Sequence, residues 1–480
     1  MTRPIKFGTD GWRGIVGDDF TYDAVRAAAQ GTAAYLRERA AEPLAVVGYD
    51  CRFASEVLAE EVARVLAGNG VRTLLFDRAS PTQVASWTVL ACRAAGAAVI
   101  TASHNPYLFN GFKYKPETGS AAPPEVIAEL ERRINDVVAG GPGGVRRAPA
   151  DDPLVVRHDP RPSYYAQIGR MVDLDAIRGA GLRVLHECMH GSAYGYLTDL
   201  AGGGATAVTE LHPDRNPYFG GVNPEPIPPN LGEALAVMRG GGHDLAVCTD
   251  GDADRVGIID ETGRFVNQLQ VYALLMRYLV ETRGWRGPVV KSINMTSMAD
   301  RLGARYGVPV HEVPVGFKSI APRMLETDAV LGGEESGGYA IRGHVPDRDG
   351  LLCGLFFADM IVKEGRPLSD ILRALEAEVG PHAYGRHDLH LPRETYEADR
   401  RRVLETLAAN TPREVAGVAV ERVRDDDGYK FTLRDGSWVL LRTSGTEPLI
   451  RVYAEAGSDA EVQARLTALE EIVGIGGDHG

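Results

Sequence analysis

The residues with the clearest chemical potential lie in two short stretches, each at the end of an apolar run. In TASHNPYLFNGFKYK (101–115), Ser103 follows a strand-like segment and precedes His104, Asn105, Pro106 and the turn pair Asn110-Gly111. A hydroxyl held between a strand end and a turn is exposed and rigidly placed. It suits a residue that carries a phosphoryl group, whose oxygens nearby N–H groups and a metal can meet. The plainer reading, in which Ser103 and Asn105 only turn or cap the chain, stays open on this stretch alone. His104 lacks the partner spacing of a zinc motif, and the G-x-S-x-G elbow of a hydrolase is absent. In CTDGDADRVG (248–257), Asp250, Asp252 and Asp254 alternate with Gly251 and Ala253. Three like charges so close raise one another's free energy unless a cation or a basic partner is present. An all-oxygen set suits a hard divalent ion, and magnesium above all. A calcium loop is excluded because Arg255 stands where the turn needs glycine. Arg255 can balance the cluster and touch a phosphate, while a solvated acidic turn remains the alternative.

Two further stretches offer ligand contacts rather than chemistry. GGEESGGYA (332–340) presents acceptors and a donor to a polyhydroxylated ligand, with Glu334 and Ser336 the pair to aim at sugar hydroxyls; a plain turn serves the residues equally well. RTSGTEPLIRVY (442–453) sets Arg442, Ser444, Gly445 and Thr446 in a short loop after a strand, a nest for a phosphate that is bound but not transferred. The P-loop pattern G-x-x-x-x-G-K-[ST] is missing, and so is G-x-G-x-x-G after an early strand, which counts against an ATP-driven kinase and a dinucleotide enzyme.

Elements that position these stretches follow from periodicity. Strands at 44–49, 71–76 and 97–102 alternate with helices at 55–67, capped by Ser55, and 81–95. That alternation favours a layered α/β domain. A Gly/Pro-rich linker is expected at 139–154, after which strands at 182–187 and 245–250 flank a helix at 191–200. Helices at 265–280 and 297–306 and strands at 289–294 and 329–333 continue the pattern. Helices at 350–363 and 367–379 then lead to a break at 380–386. The remainder, with helices near 393–409 and 459–473 and strands near 429–433, 437–442 and 449–455, reads as a smaller α+β domain.

Composition narrows the classes. The chain of 480 residues is too long for one ordinary core. Its formal charge of −13, from 52 basic and 65 acidic residues, argues against a general nucleic-acid or anionic-membrane binder but leaves a small anionic substrate open. No apolar run reaches the length of a membrane span and no export segment opens the chain. Five scattered cysteines fit free thiols in a reducing cytoplasm.

Together, and in this order, the four stretches resemble the α-D-phosphohexomutase superfamily of phosphoglucomutases and phosphomannomutases. The opening FGTDGWRGIVG adds to the likeness. The resemblance implies three similar mixed-sheet α/β domains (1–150, 151–262 and 263–380) and a smaller TATA-binding-protein-like α+β domain (381–480) around a central cleft. It implies that Ser103 carries the phosphate, that Asp250, Asp252 and Asp254 hold Mg2+ with a phosphoserine oxygen of Ser103, and that Arg13 and Lys113 act in proton transfer and charge stabilisation. A lysine among cations has a lowered pKa, which makes Lys113 the candidate general base. His104, Arg255, Lys291 and Lys318 are substrate contacts in this reading, Lys318 in the VGFK loop (315–318). Glu334 and Ser336 contact the sugar, and Arg442, Ser444, Gly445 and Thr446 hold the distal phosphate.

One departure stands out. Where the dual phosphomannomutase/phosphoglucomutase form has a histidine after its sugar loop, this chain has Gly338, with His344 the nearest downstream substitute. Glu335 and Gly338 point to a phosphoglucomutase that interconverts glucose 1-phosphate and glucose 6-phosphate through glucose 1,6-bisphosphate. Phosphomannomutase, dual-specificity, phosphoglucosamine and phosphopentose variants are the near alternatives, and a water-accepting phosphatase or a sugar-phosphate sensor the distant ones. The expected state is a cytoplasmic monomer or homodimer whose partner is a hexose phosphate, with neither nucleic acid nor membrane.

Overall fold

The apolar runs that bracket the serine stretch become neighbouring strands. In the computed structural model, which describes residues 3–8, 10–443 and 448–475, the first sheet has six strands among the described residues. Their order is Trp12–Ile15, Phe109–Pro116, Gly96–Ile100, Leu44–Tyr49, Arg72–Phe76 and Val155–His158. The last four run parallel, and Phe109–Pro116 returns antiparallel to both of its neighbours. That return carries Lys113 back beside the loop that holds Ser103. The parallel edge strand Val155–His158 lies past the boundary expected at 150 and belongs to this sheet. The expected linker is correspondingly shorter, because the helix Pro124–Gly140 runs into it. This helix packs on Tyr22–Arg39 through Gly31, where an added Cβ would lie 2.6 Å from the Ile134 side chain and 2.9 Å from its backbone nitrogen.

The second sheet orders Phe265–Val266, Val256–Asp260, Leu245–Thr249, Arg183–Glu187 and Ala207–Leu211; the third orders Val310–Val313, Val289–Ser292, Leu331–Glu334 and Gly338–Ile341. In both, an antiparallel hairpin joins a parallel core: Val256–Asp260 folds back on Leu245–Thr249, and Gly338–Ile341 on Leu331–Glu334. The turns of these hairpins are the aspartate loop and the sugar-loop candidate. The helix Gly350–Glu364 crosses from the third sheet to the second, where Gly354 lets it approach Val247. One apolar core therefore runs continuously through the first three sheets.

The fourth sheet is wholly antiparallel, in the order Ala383–His390, Leu449–Ala456, Trp438–Thr443, Tyr429–Leu433, Val418–Arg424 and Glu414–Val415. Helices Tyr396–Ala409 and Asp459–Val473 close its own core through Val403, Leu407, Leu466 and Leu469. Ala383–His390 overlaps the break expected at 380–386. Its polar letters form a strand because Leu449–Ala456 pairs with it along its whole length. Ser55 is not a cap. Ala54 occupies that position with φ 63°, and the Ser55 hydroxyl donates to Asp50 Oδ1 at 2.7 Å. The expected helix at 191–200 shortens to Tyr196–Ala201. Among the described residues, no helix is long and apolar enough to cross a membrane.

Candidate active site

Ser103 sits at the end of Gly96–Ile100 with φ 52°, a left-handed conformation that a side-chain-bearing residue adopts only when its surroundings enforce it. The enforcement is visible. Thr101 Oγ1 accepts from the Ser103 amide at 2.9 Å. The buried Arg52 guanidinium donates to the carbonyls of Ser103 and Asn105, both at 2.5 Å, and to those of Pro106 and Phe109 at 3.0 and 2.9 Å. Asp50 neutralises Arg52 at 3.3 Å. Four carbonyls on one guanidinium fix the loop, and the Ser103 hydroxyl donates to Asp250 Oδ2 at 2.7 Å. Arg13, one strand away, donates to Asn105 Oδ1. His104 Nδ1 lies 3.4 Å from Ser103 Oγ. Burial, with Arg255, Arg13, Arg52 and Lys113 nearby, holds its imidazole well below the ordinary histidine range, so the ring is neutral.

The three aspartates converge as the spacing suggested. A carboxylate oxygen of each of Asp250, Asp252 and Asp254 lies within 4.8 Å of the other two, and all three residues are buried. Burial, reinforced by Asp252 and Asp254, pushes the Asp250 carboxyl well above its usual range. Burial acts most strongly on Asp252 as well, but Lys113, through its charge and its hydrogen bond, together with the Thr82 hydroxyl holds that carboxyl low. The Lys113 ammonium bridges Asp10 at 2.6 Å, Asp252 at 2.8 Å and Asp254 at 3.2 Å. Burial would lower the Lys113 pKa, yet these three carboxylates raise it above the ordinary lysine range. The lowered pKa expected from neighbouring cations is thus reversed, because the nearest groups are acids.

Whether a cation fits can be read from the unsatisfied atoms. Asp252 Oδ1 and Asp254 Oδ1 are buried without a hydrogen-bond partner among the described residues. A buried anionic oxygen left unpaired is costly. An all-carboxylate donor set of this kind suits a hard dication such as Mg2+.

The sugar-loop candidate joins the aspartates through a residue that the sequence did not single out. Arg348 reaches Asp10 at 2.6 Å and Asp254 at 2.8 Å with Nη2, and Glu334 at 3.1 Å with Nη1. Its only signal in the sequence was the charged run Asp347-Arg348-Asp349 after the glycine-rich turn. Ser336 Oγ donates to Glu334 Oε1 at 2.9 Å, so the predicted pair is together. Val256 N donates to Gly337 O at 3.0 Å and ties this loop to the aspartate loop. Arg255 is buried, with Nη1 on Glu225 at 3.0 Å.

Gly338 is explained by Arg348, since an added Cβ would lie 2.2 Å from the Arg348 Cδ. No side chain fits there without moving that guanidinium. His344 does not take its place. It stacks on Trp87, with Nε2 2.8 Å from Asp349 Oδ2, and its side chain is buried away from the sugar loop. Gly338→Ala should lower kcat/KM by about tenfold and reduce stability by about 1–3 kcal/mol, the usual cost of overpacking. Steady-state kinetics and thermal melts test this, and a variant with wild-type values in both would contradict the crowding.

The remaining predicted contacts divide. Lys291 is buried at the junction of the third and fourth sheets, where its ammonium meets Asp300 and the Thr296 carbonyl, the latter at 2.9 Å. Lys318 is exposed at the start of Phe317–Thr327. Arg442 donates to Asp427 Oδ1 at 3.0 Å, and Asp427 Oδ2 accepts from Val315 N in the VGFK loop at 2.7 Å. One carboxylate thus links the Arg442 strand to the VGFK loop. Ser444, Gly445 and Thr446 lie outside the described residues. Asp10, Arg52 and Asp427 join Arg348 among the residues that the spacing did not reveal.

Comparison with known proteins decides the family. Models of the phosphoglucomutase/phosphomannomutase family match in chain order: α/β/α domain I over residues 4–139, domain II over 162–263, domain III over 267–379 and the C-terminal domain over 401–472. The chain belongs to the phosphoglucomutase/phosphomannomutase family. It is a phosphohexomutase, an intramolecular phosphotransferase of carbohydrate metabolism. It is 30% identical to a phosphoglucomutase/phosphomannomutase of Thermococcus kodakarensis, over 96% of each chain. It is 32% identical to a phosphoglucosamine mutase of Rubrobacter xylanophilus, over 98% of this chain and 97% of that one. A crystal structure from Thermus thermophilus, provisionally named a phosphomannomutase, superposes with a TM-score of 0.84 at 34% identity, covering 99% of this chain and 100% of the other.

Proposed function

We propose that this phosphohexomutase interconverts glucose 1-phosphate and glucose 6-phosphate through a phosphorylated Ser103 and glucose 1,6-bisphosphate. The observation that carries the reading is the approach of Ser103 Oγ to Asp250 Oδ2, 2.7 Å, across two domains, with Lys113 bridging the other two aspartates. The 1- and 6-oxygens lie at opposite ends of the sugar, so one fixed donor reaches both only if the bisphosphate turns end for end between two transfers. Asp250, Asp252 and Asp254 would hold Mg2+, which when bound withdraws charge from the phosphoryl group. Arg13, Lys113 and Arg255 supply positive charge around the same group. Neutral His104 hydrogen-bonds at the serine, and Arg52 keeps the hydroxyl in place. Arg442, with Ser444, Gly445 and Thr446, would grip the phosphate that is not reacting.

The choice of glucose rests on charge. Both carboxylates of the sugar loop are already met: Glu334 by Arg348, and Glu335 by Arg386 at 3.2 Å and the Tyr384 hydroxyl at 2.8 Å. Neither is left to pair with the ammonium of an amino sugar, whereas Glu334 and Ser336 remain suited to neutral hydroxyls. The names of several relatives favour the second reading, a phosphoglucosamine mutase. Side-by-side turnover of glucose, mannose and glucosamine 1-phosphates, each with its 1,6-bisphosphate as activator, tests the choice. Glucose 1-phosphate should have the highest kcat/KM by about tenfold or more, which corresponds to about 1.4 kcal/mol of differential binding. A preference for glucosamine 1-phosphate would overturn it.

A further inference from the structure

A second group of ligand-type side chains lies in the second sheet, away from the aspartate triad. His186 and Cys188 stand at the end of Arg183–Glu187, and Glu210 is beside them on the edge strand Ala207–Leu211. One donor atom from each lies within 4.8 Å of the others. Cys188 Sγ is 3.4 Å from His186 Nδ1, which is 3.6 Å from Glu210 Oε1. In a tetrahedral zinc site, with Zn–S of about 2.3 Å and Zn–N or Zn–O of about 2.0 Å, adjacent ligand atoms are about 3.3–3.6 Å apart. The S···N edge of such a polyhedron is about 3.5 Å and the N···O edge about 3.3 Å, and the measured 3.4 and 3.6 Å lie within about 0.3 Å of them before any movement.

The surroundings match a metal-binding histidine. Thr249 Oγ1 lies 3.3 Å from His186 Nε2, so that nitrogen can carry the proton and leave the Nδ1 lone pair facing Cys188 and Glu210. Glu210 Oε1 accepts from Gly195 N at 2.7 Å and Thr198 Oγ1 at 3.0 Å, which fixes the carboxylate in the way outer contacts fix a ligand. His186 and Cys188 are buried and Glu210 is half-buried, so the edge strand leaves a way in from solvent. Without an ion, a Cys188 S–H···Nδ1 hydrogen bond accounts for the first contact, and burial beside Glu210 and Glu187 pushes the thiol well above its usual pKa. Those same carboxylates would be neutralised by a dication.

We propose that His186, Cys188 and Glu210 form a second metal site, selective for zinc-class borderline ions over magnesium. Binding forms bonds to sulfur, nitrogen and oxygen, and releases the thiol proton to solvent with no change of oxidation state. The site lies directly behind the aspartate loop: Ser192 N donates to Gly251 O at 3.0 Å, and an added Cβ on Gly191 would lie 2.8 Å from the Asp250 carbonyl. An ion there would stiffen the loop on which Asp250 rests.

The test is Co2+ titration of the full-length protein saturated with Mg2+, reading the near-ultraviolet charge-transfer band that only thiolate ligation gives. One equivalent should produce the band and one of Zn2+ should remove it. Cys188→Ser should abolish it, Cys92→Ser should leave it intact, and Glu210→Gln should weaken Co2+ binding roughly tenfold or more while keeping the band. No band in the wild-type protein overturns the proposal before any variant is made. So does a band that survives Cys188→Ser, while unchanged affinity in Glu210→Gln removes Glu210 as a ligand. Because the readout is spectral, the result is independent of which sugar is turned over and of whether Ser103 is phosphorylated.

Discussion

Ser103→Ala should turn over hexose phosphate about a thousandfold or more slowly than the wild type while folding normally, as loss of a covalent relay requires. The methyl group keeps the Cβ and the loop contacts made through the backbone. Arg52 still holds the carbonyls of Ser103, Asn105, Pro106 and Phe109, and Thr101 still meets the amide. What disappears is one oxygen, 2.7 Å from Asp250 Oδ2. A purely structural serine would lose only its hydrogen bonds to Asp250 and His104, on the order of 1 kcal/mol each, and turnover would barely change. Two measurements separate these outcomes. Steady-state assay with saturating bisphosphate reports turnover, and intact-mass analysis after incubation with bisphosphate reports the phosphoryl adduct. The wild type should gain one phosphoryl group and the variant none. Near-wild-type turnover in a chain that never takes up phosphate would end the relay reading.

Much of this site was legible because its parts are local. Ser103 and the three aspartates each occupy a few consecutive residues after an apolar strand, and Glu334 and Ser336 share one turn, so type and spacing alone brought them to notice. The residues that were not legible act across the fold. Asp10 and Arg348 meet at 2.6 Å although 338 positions separate them, and nothing local in either stretch records that contact. Arg52 looks like an ordinary loop arginine until four carbonyls from the serine loop close on it. The direction of the Lys113 shift failed for a related reason. Its charged sequence neighbour, Lys115, is another cation, whereas its spatial partners are carboxylates from two distant segments, Asp10 and the aspartate loop. Among the elements, strong apolar periodicity gave the parallel strands. The stretch 380–386 reads as a break by its own pattern, and it is tertiary pairing that makes Ala383–His390 a strand. The 139–154 stretch shows the reverse: a glycine-rich composition did not stop Pro124–Gly140 from remaining helical to its end.

Arg348→Met should be the most damaging substitution outside the serine. The guanidinium is 5% exposed and is the shared counter-charge of Asp10, Asp254 and Glu334. Asp10 and Asp254 keep Lys113, but Glu334 loses its only cationic partner among the described residues. Removing one member of a buried pair typically costs about 3–5 kcal/mol, so the melting temperature should fall. The sugar loop should also loosen, lowering kcat/KM by about a hundredfold. Loss of a nearby positive charge has a second and opposite consequence at the aspartates, where Mg2+ affinity should rise by about tenfold, since Asp254 no longer shares its charge with a guanidinium. Arg348→Lys separates charge from shape. It keeps the cation but cannot fork between Glu334 and Asp254, so it should restore most of the stability and leave Mg2+ affinity near the wild-type value while kcat/KM stays low. Calorimetric Mg2+ titration, thermal melts and kinetics on the three proteins give the pattern. If both variants matched the wild type in turnover, the sugar loop and the aspartates would be independent of each other, and Arg348 would be only a packing residue.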